Sequence, residues 1–205
     1  MAGTVIRSFS VPGAGVGGLA WDGRNLWSAN ATTTLIYQVD LVTGKIIRSF
    51  AAPGAYPYGL TFDGLSLWHV RYGTSLIYQI DPATGKAIRS IAAPAASPYG
   101  LAWDGRTLWS TDATTTLIYQ VDPVTGKAIR SFAPPGASTR DLAWDGHALW
   151  LGDATTGLIY QIDPVTGTVI RSFAAPGASV AGLTFDGRTL WHSNGTTGQI
   201  HQISI

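Results

Sequence analysis

Short apolar segments of four or five residues recur along the chain, separated by turns rich in polar residues, glycine and proline. In the first part of the chain these segments are Gly18–Trp21, Leu26–Asn30, Leu35–Val39 and Ile46–Phe50. They are rich in β-branched and aromatic residues, which favour strands. The pair Asp22-Gly23 between the first two segments is a hairpin signal, because glycine adopts a positive φ at little cost. No segment carries apolar residues at helical spacing between capping residues, so the pattern predicts an all-β protein.

The four-strand pattern occurs five times. Its clearest marker is the pair Asp-Gly, which recurs every 41 residues, at Asp22, Asp63, Asp104, Asp145 and Asp186. Self-similarity with a period near 40 indicates a repeat architecture. Four antiparallel strands in each of five units predict a five-bladed β-propeller that forms a single domain over residues 1–205. A solenoid is the alternative, but it requires atypical capping repeats at its two ends.

The two ends of the chain carry complementary parts of one unit. Gln199–Ile205 corresponds to the third strand of the unit, whereas Thr4–Phe9 is identical to Thr168–Phe173, a fourth strand. We therefore expect the N-terminal strand to close the last blade. Such pairing would remove the strand edges that two free ends would otherwise expose.

Composition excludes several classes of protein. Hydrophobic residues make up 45% of the chain and charged residues 12%, against about 25% charged in a typical soluble protein, so the chain is not expected to be disordered. No apolar run approaches the roughly 20 residues of a membrane helix. The net charge of +1 argues against a nucleic-acid partner or a membrane-binding basic patch. We expect a monomer that binds neither, and the sequence assigns it no cellular location.

Two residue types are missing altogether. The chain has no Cys, and all 12 of its acidic residues are Asp. Disulfide frameworks, thiolate metal sites and cysteine nucleophiles are therefore excluded. A chain without Glu also offers few long carboxylates for general acid–base catalysis.

The repeat unit resembles those of known propellers. Its form is G-L-[AT]-[WF]-D-G-x-x-L-W, followed by L-I-Y-Q-[VI]-D-P-x-T-G-K. It resembles the repeats of five-bladed propellers of the plant and bacterial glutaminyl cyclotransferase type, and it is similar to the wider group with YVTN- and NHL-type repeats. The resemblance covers the whole chain and implies the propeller fold. It also implies a glutamate as the acid–base group of the enzyme, which this chain lacks.

The residues that recur in every unit are expected to build the fold. One Trp lies at the same position in each unit, at Trp27, Trp68, Trp109, Trp150 and Trp191. We expect these side chains to fill the space between adjacent blades, because large aromatic side chains bury the most surface. The recurring Arg of the fourth strand, such as Arg48, is expected to lie on a solvated outer face or to pair with a repeat Asp.

A binding site is expected where the copies differ. Tyr58, Tyr99 and Arg140 occupy one repeat position near the axis in three consecutive units. Tyrosine rings with an arginine suit stacking on a small polar ligand or a sugar. We predict a site at one mouth of the central channel, formed by Tyr56, Tyr58, Arg71, Tyr99, Arg140 and Asp141.

A second variable position raises the question of a metal. It holds Asn30, Arg71, Asp112, Asp153 and Asn194. Strands about 4.8 Å apart would place neighbouring members of this ring ~12 Å from one another, whereas metal–oxygen distances are about 2.0–2.6 Å. We therefore predict no metal site and no cofactor. His69 and His192 share another position two blades apart, which is too far for a catalytic pair.

The sequence is compatible with three functions. We expect a non-enzymatic scaffold or interaction module, either recently amplified or engineered, because no catalytic motif is visible and no residue is assigned a catalytic role. The first alternative is a lectin-like propeller that binds a small ligand or glycan through the loops of one face. The second is a glutaminyl cyclotransferase-like enzyme, in which Asp112, Asp141 or Asp153 would have to replace the missing Glu.

Overall fold

The computed structural model describes residues 3–11, 15–54, 56–177 and 179–205. Its strands form five separate antiparallel sheets of four strands each. Blade 1 contains β2 to β5, at Val16–Trp21, Leu26–Asn30, Leu35–Val39 and Ile46–Ala51. Blade 2 contains β6 to β9, at Pro57–Phe62, Leu67–Arg71, Leu76–Ile80 and Ala87–Ala92. Blade 3 contains β10 to β13, at Pro98–Trp103, Leu108–Asp112, Ile118–Val121 and Ala128–Phe132.

The last two blades complete the ring. Blade 4 contains β14 to β17, at Thr139–Trp144, Leu149–Asp153, Leu158–Ile162 and Val169–Ala174. Blade 5 combines β18 to β20 with the first strand of the chain, β1, at Val180–Phe185, Leu190–Asn194, Gln199–Ile203 and Val5–Ser10. The five-bladed, all-β prediction and closure by the N-terminal strand are both confirmed, and the solenoid is excluded.

Hydrogen bonds join the two chain ends at the turn that precedes β1. The N–H of Gly3 donates to the carbonyl of Ser204 (2.8 Å), and the N–H of Ser204 donates to the carbonyl of Thr4 (3.0 Å). In blade 4 the same two bonds lie within one continuous turn, between Asp163, Gly167 and Thr168, at 2.9 Å each. These two main-chain hydrogen bonds are therefore present although the covalent chain is interrupted at this turn.

The repeated Trp side chains pack between blades. All five are at most 1% exposed, and Trp27 of blade 1, for example, lies in one cluster with Leu60, Leu67 and Ile80 of blade 2. Each indole N–H donates to the carboxylate of the Asp in its own Asp-Gly turn, at 2.6–2.8 Å. The packing role predicted for these residues is confirmed, and the turn Asp satisfies the polar atom that this packing would bury.

The repeated Arg side chains stack on the indole rings. Each guanidinium lies 4.9–5.3 Å from the centroid of the Trp ring in its own blade. Its Nε donates to the repeated Gln of the neighbouring strand, at 2.7–2.9 Å. Arg89 also donates to the carbonyl of Pro123 in the next blade, at 2.8 Å. The sequence did not reveal these cation–π contacts, which each contribute about 0.5–1 kcal/mol at exposed sites.

All regular secondary structure that the structure describes is β-strand. Within those residues there is no helix long and apolar enough to cross a membrane. The expectation of a single domain over residues 1–205 stays a prediction.

Candidate functional site

A β-bulge in the innermost strand of every blade creates the candidate site. In blade 3, Pro98 pairs with Asp112 and Leu101 pairs with Ser110, so two residues on β10 face one on β11. A one-residue shift occurs at the same point of the other four innermost strands, although in blade 5 Gly182 already pairs with Ser193. Bulges change the direction of side chains. Here the two residues of each bulge lie at two different depths along the channel. The first bulged residues are Gly17, Tyr58, Tyr99, Arg140 and Ala181; the second are Gly18, Gly59, Gly100, Asp141 and Gly182.

The first bulged residues surround a cavity at the mouth of the channel, which we call the rim pocket. Its volume is about 280 Å³. One wall consists of the three large side chains Tyr58, Tyr99 and Arg140. The opposite wall, from blades 5 and 1, consists of small residues that include Gly15, Gly17, Ala181 and Gly195. The first bulged position recurs in all five blades but carries a large side chain in only three consecutive blades, so the pocket is asymmetric.

Three tyrosines pack together at the large wall. The ring centroids of Tyr58 and Tyr99 are 4.4 Å apart with the planes tilted by 42°. Tyr72 lies edge-on to both rings, at 5.5 Å from Tyr58 and 5.7 Å from Tyr99. Such pairs contribute about 0.5–1.5 kcal/mol beyond area burial. Tyr72 was not among the residues predicted for the site, although one signal was present: the other four units carry Ala31, Ala113, Ala154 and Gly195 at this position.

Arg140 places a positive charge against this wall. Its Cζ lies 4.9 Å from the centroid of the Tyr99 ring, and the Thr111 hydroxyl holds its carbonyl at 3.4 Å. Burial raises the pKa of the Tyr99 hydroxyl well above its ordinary value, with a smaller upward effect of Tyr58 and an opposing effect of Arg140. The Tyr99 hydroxyl therefore stays protonated and able to donate near neutral pH.

Asp141 lies beneath the rim pocket and does not line it. Its side chain has no exposed surface. Its Oδ1 accepts the N–H of Leu101 and its Oδ2 accepts the N–H of Leu183, both at 3.0 Å. Burial raises the pKa of Asp141 well above its ordinary value, and the main-chain N–H groups around the carboxyl oppose this shift. Successive residues of a strand point to opposite sides, so Asp141 faces away from the cavity that its neighbour Arg140 lines.

Tyr56 and Arg71 lie outside the residues that line the rim pocket. Tyr56 is 57% exposed and has a φ of 58°, a left-handed conformation that turns its side chain away from the strand direction. Arg71 packs its aliphatic stem against Gly54, and its Nε is buried without a hydrogen-bond partner. The structure therefore brings together three of the six predicted site residues, Tyr58, Tyr99 and Arg140.

Side chains at the second variable position, which was considered for a metal, cap the turns that follow them. The Oδ1 atoms of Asn30, Asp112, Asp153 and Asn194 each accept two main-chain N–H groups of the following turn, at 2.8–3.0 Å. The second carboxylate oxygens of Asp112 and Asp153 accept the N–H groups of Ser97 and Ser138, at 2.7 and 2.8 Å. These carboxylates are thus engaged in loop structure. Apart from the gaps given above, the chain shows no group of three metal-ligating His, Asp or Glu side chains.

The two histidines of the repeat are core residues. His69 contacts the carbonyls of Val70 and Pro53 through its two ring nitrogens, at 2.9 and 3.0 Å, and stacks on Tyr78 at 5.3 Å. His192 stacks on His201 at 5.8 Å. Burial lowers the pKa of His69 and of His192 to about 4. Both are therefore neutral at physiological pH, and neither lines the rim pocket.

Comparison with known proteins assigns the family. The sequence model of the glutamine cyclotransferase family matches residues 12–180. The chain belongs to the glutamine cyclotransferase family. None of the curated protein sequences matches the chain.

Solved structures with the same fold include members of more than one enzyme class. The glutaminyl cyclase of Myxococcus xanthus superimposes with a TM-score of 0.85 over 98% of this chain and 94% of that one, at 15% identity. Virginiamycin B lyase from Staphylococcus aureus has a TM-score of 0.58 at 18% identity, with 96% of this chain and 68% of that one covered. A streptogramin B lyase gives 0.58 at 20% identity, with coverages of 97% and 69%. At these identities the superpositions show the fold alone.

Membership of the glutamine cyclotransferase family confirms the resemblance seen in the repeats and corrects the functional expectation. The expectation of a non-enzymatic scaffold, whether amplified or engineered, was wrong, as was the expectation that the chain is not an enzyme. The error came from treating the absence of Glu and of a catalytic motif as evidence against enzyme activity. A family is recognised over the whole repeat pattern, whereas one missing residue type concerns only one step of the chemistry.

Proposed function

We propose that the rim pocket binds the N-terminal glutaminyl residue of a peptide or protein and cyclises it to pyroglutamate with release of ammonia. The observation that carries this proposal is the contact of the Arg140 guanidinium with the ring of Tyr99 at one wall of a small, asymmetric cavity, in a chain of this family. The small polar ligand predicted from the sequence is, in this proposal, the glutaminyl residue. A sugar ligand stays a prediction.

The reaction needs a proton to be moved but no redox partner. The α-amino nitrogen attacks the side-chain amide carbon, and a C–N bond forms. The carbonyl oxygen becomes negatively charged in the tetrahedral intermediate, and the bond to the amide nitrogen then breaks as ammonia leaves. The attacking amine loses one proton and the leaving nitrogen gains one, so a group that can pass a proton between them balances the step.

The residues of the large wall suit these demands. The guanidinium of Arg140 is a permanent positive charge that stabilises the developing oxyanion. The hydroxyl of Tyr99, which is protonated at neutral pH as tyrosine hydroxyls ordinarily are, donates to the same oxygen or to the leaving nitrogen. The face of Tyr58 packs against the methylene groups of the glutaminyl side chain, and the small residues opposite leave room for the rest of the peptide.

In this proposal, the residues of the large wall take the role of the acid–base glutamate that the resemblance to glutaminyl cyclotransferases implies. Asp112 and Asp153 cap turns with both of their oxygens. Asp141 is fully buried, and its two carboxyl oxygens accept the main-chain N–H groups of Leu101 and Leu183. In the proposal the proton is passed by tyrosine hydroxyls, and the α-amine attacks in its neutral form, which becomes abundant near its pKa of about 7.7–8.0.

The test is turnover of a short peptide with N-terminal Gln. Ammonia release and the mass of the peptide would be followed with the purified chain, with peptides that begin with Asn or with acetylated Gln as substrate controls. We expect turnover of the Gln peptide alone. Tyr99→Phe and Arg140→Ala should each lower kcat/KM by about 100-fold, the usual effect of removing one oxyanion donor.

Arg188→Ala provides a matched control, because Arg188 is an exposed arginine in the Asp-Gly turn of blade 5. It should retain wild-type activity. A wild-type rate equal to the spontaneous rate of Gln cyclisation would overturn the proposal. Equal activities of the wild type, Tyr99→Phe and Arg140→Ala would place the reaction elsewhere on the chain.

A further inference from the structure

The second bulged position of each blade faces the propeller axis. Four of its five residues are glycines, and the fifth is Asp141. A Cβ atom built on any of these glycines would lie 2.2–2.6 Å from a main-chain oxygen of the next blade: Tyr58 for Gly18, Tyr99 for Gly59, Arg140 for Gly100 and Gly17 for Gly182. No real Cβ is accommodated so closely, so the innermost strands pack main chain to main chain around the axis. Among these five positions, only the one in blade 4 carries a side chain, that of Asp141.

Main-chain N–H groups converge on its carboxyl. The residue after each second bulged position is a leucine, at Leu19, Leu60, Leu101, Leu142 and Leu183. The N–H groups of Leu101 in blade 3 and Leu183 in blade 5 donate to the two carboxyl oxygens at 3.0 Å. Burial raises the pKa of the carboxyl, and main-chain N–H groups, those of Leu19 and Leu142 among them, oppose this rise. Hydrogen-bond donors from blades 3 and 5 thus meet at one side chain.

The geometry has a simple cause. The innermost strand is an edge of its sheet, so every second N–H on it points away from the neighbouring strand and has no partner in the ladder. In a closed ring these edge groups all point towards the axis. Buried N–H groups without a partner cost about 1–3 kcal/mol each, and a concave set of main-chain N–H groups is a recognised receptor for anions.

We propose that the leucine N–H groups around the axis form a binding site for a small carboxylate, which Asp141 occupies from within the chain and which formate occupies when that side chain is removed. Formate matches the carboxyl group of Asp141 in size and in its two oxygen acceptors. The site is independent of the proposed reaction, because it lies below the rim pocket and Asp141 does not line that pocket.

The test is the full-length variant Asp141→Gly, which makes all five copies of the position alike. We expect its thermal midpoint to lie several degrees below that of the wild type and to rise with formate along a saturable curve, since a ligand that binds only the folded state stabilises it. Sodium chloride at the same ionic strength controls for general salt effects, and benzoate, which is too large for the axis, controls for size. The wild type, whose site is filled, should not respond to formate beyond the salt control.

Asp141→Asn is the matched variant. Its amide keeps the volume and one acceptor oxygen but turns an NH₂ group towards a main-chain N–H. We expect it to be less stable than the wild type and insensitive to formate. If Asp141→Gly does not fold in buffer alone, its yield of folded protein after refolding with and without formate gives the same information.

An unchanged midpoint and an unchanged refolding yield of Asp141→Gly in formate would overturn the proposal. So would a response of equal size in the wild type, which would show binding at another place. Crystals of Asp141→Gly grown with formate should show a carboxylate between the N–H groups of Leu101 and Leu183.

Discussion

The repeated residues are the same in all five copies in the outer part of each blade, whereas they differ between copies at the rim of the channel. In the outer part, the same Asp, Trp, Gln and Arg make the same contacts in all five blades, with distances that agree within a few tenths of an ångström. At the rim, the five copies of one position carry four kinds of side chain: Gly17, Tyr58, Tyr99, Arg140 and Ala181. The backbone is nevertheless the same, because every blade has the same bulge.

The comparison shows how a symmetric ring obtains an asymmetric pocket. Identical packing in the outer part holds five backbones in register, so rim side chains can change without loss of the fold. Stability and function are therefore expected to respond to different substitutions. Four experiments test this separation of stability from function, beginning with the one expected to change the protein most.

Deletion of residues 1–10 should have the largest effect. It removes β1, whose ladder with β20 runs from the pair Val5 and Ile203 to the pair Ser10 and Gln199, and it exposes an edge strand. We expect a large fall in the thermal midpoint or aggregation, measured by circular dichroism and light scattering.

A permuted chain is the control for this deletion. In it, residue 205 continues directly into residues 1–10, and the chain begins at residue 11. The permuted chain should melt like the parent, because the closing turn would then have the same number of residues as in the other blades. A truncated chain as stable as the parent would mean that ring closure contributes little.

Trp109→Ala should come next. Trp109 is 1% exposed and belongs to a cluster shared by blades 3 and 4. Loss of a buried large aromatic side chain costs about 3–5 kcal/mol, which denaturant unfolding would measure. The folded fraction should keep its KM for the Gln peptide. A variant with normal stability and no activity would show that the outer part and the rim are not separate.

Acid should destabilise the protein through its buried histidines. The pKa of His192 falls from 6.5 in the unfolded chain to about 4 in the folded state because of burial, so between these values the unfolded state binds more protons. Stability is therefore expected to decrease as the pH falls from about 6.5 to 4, by about 3 kcal/mol for each such histidine.

His192→Ser tests this acid effect, and His69→Ser is its counterpart in blade 2. Blades 1 and 3 already carry Ser28 and Ser110 at this position. Each variant should show a shallower loss of stability in acid than the wild type. Superimposable pH profiles of the unfolding free energy would show that neither histidine is responsible.

The double variant Tyr58→Ala/Tyr99→Ala should have the smallest effect on stability and a clear effect on binding. The two rings are partly exposed and stack on each other at the pocket. At about 1 kcal/mol for each ring, KM should rise roughly 10- to 100-fold while the thermal midpoint changes little.

Tyr58→Phe/Tyr99→Phe is the matched control for the rings. It keeps the stacking surface and removes the hydroxyls, so KM should be retained while kcat falls. If the alanine and phenylalanine variants lower kcat and raise KM alike, the rings and the hydroxyls do not have separate roles.

The fold could be predicted from the sequence because the strand pattern and the Asp-Gly turns occur five times. A strand or turn that is ambiguous in one unit can therefore be assigned from the corresponding residues of the other units. Tyr58, Tyr99 and Arg140 could be predicted for the same reason, as departures from the repeat near the axis. Asp141 was placed in the ligand site because it adjoins Arg140 in the sequence, although successive residues of a strand point to opposite sides. Its carboxyl oxygens instead accept main-chain N–H groups beneath the pocket.

The contacts that join side chains of different blades at the rim could not be predicted. Tyr72 belongs to a loop of blade 2, and only the packed structure shows that it meets Tyr99 of blade 3. Tyr56 and Arg71 were expected beside the pocket because they are close to Tyr58 in sequence or in pairing. Their orientation depends on a positive φ and on packing against Gly54, which a residue pattern does not encode.

The join between the chain ends also determines how the protein should respond to mechanical force. The two ends lie at the same end of the β1–β20 ladder, because Val5 pairs with Ile203 and Ser10 with Gln199. A pull on both ends therefore loads the hydrogen bonds one after another, starting with those between Ser204, Gly3 and Thr4, as in a zipper. We expect the ring to open at low force in blade 5, with the other four blades still folded when the first strand is released.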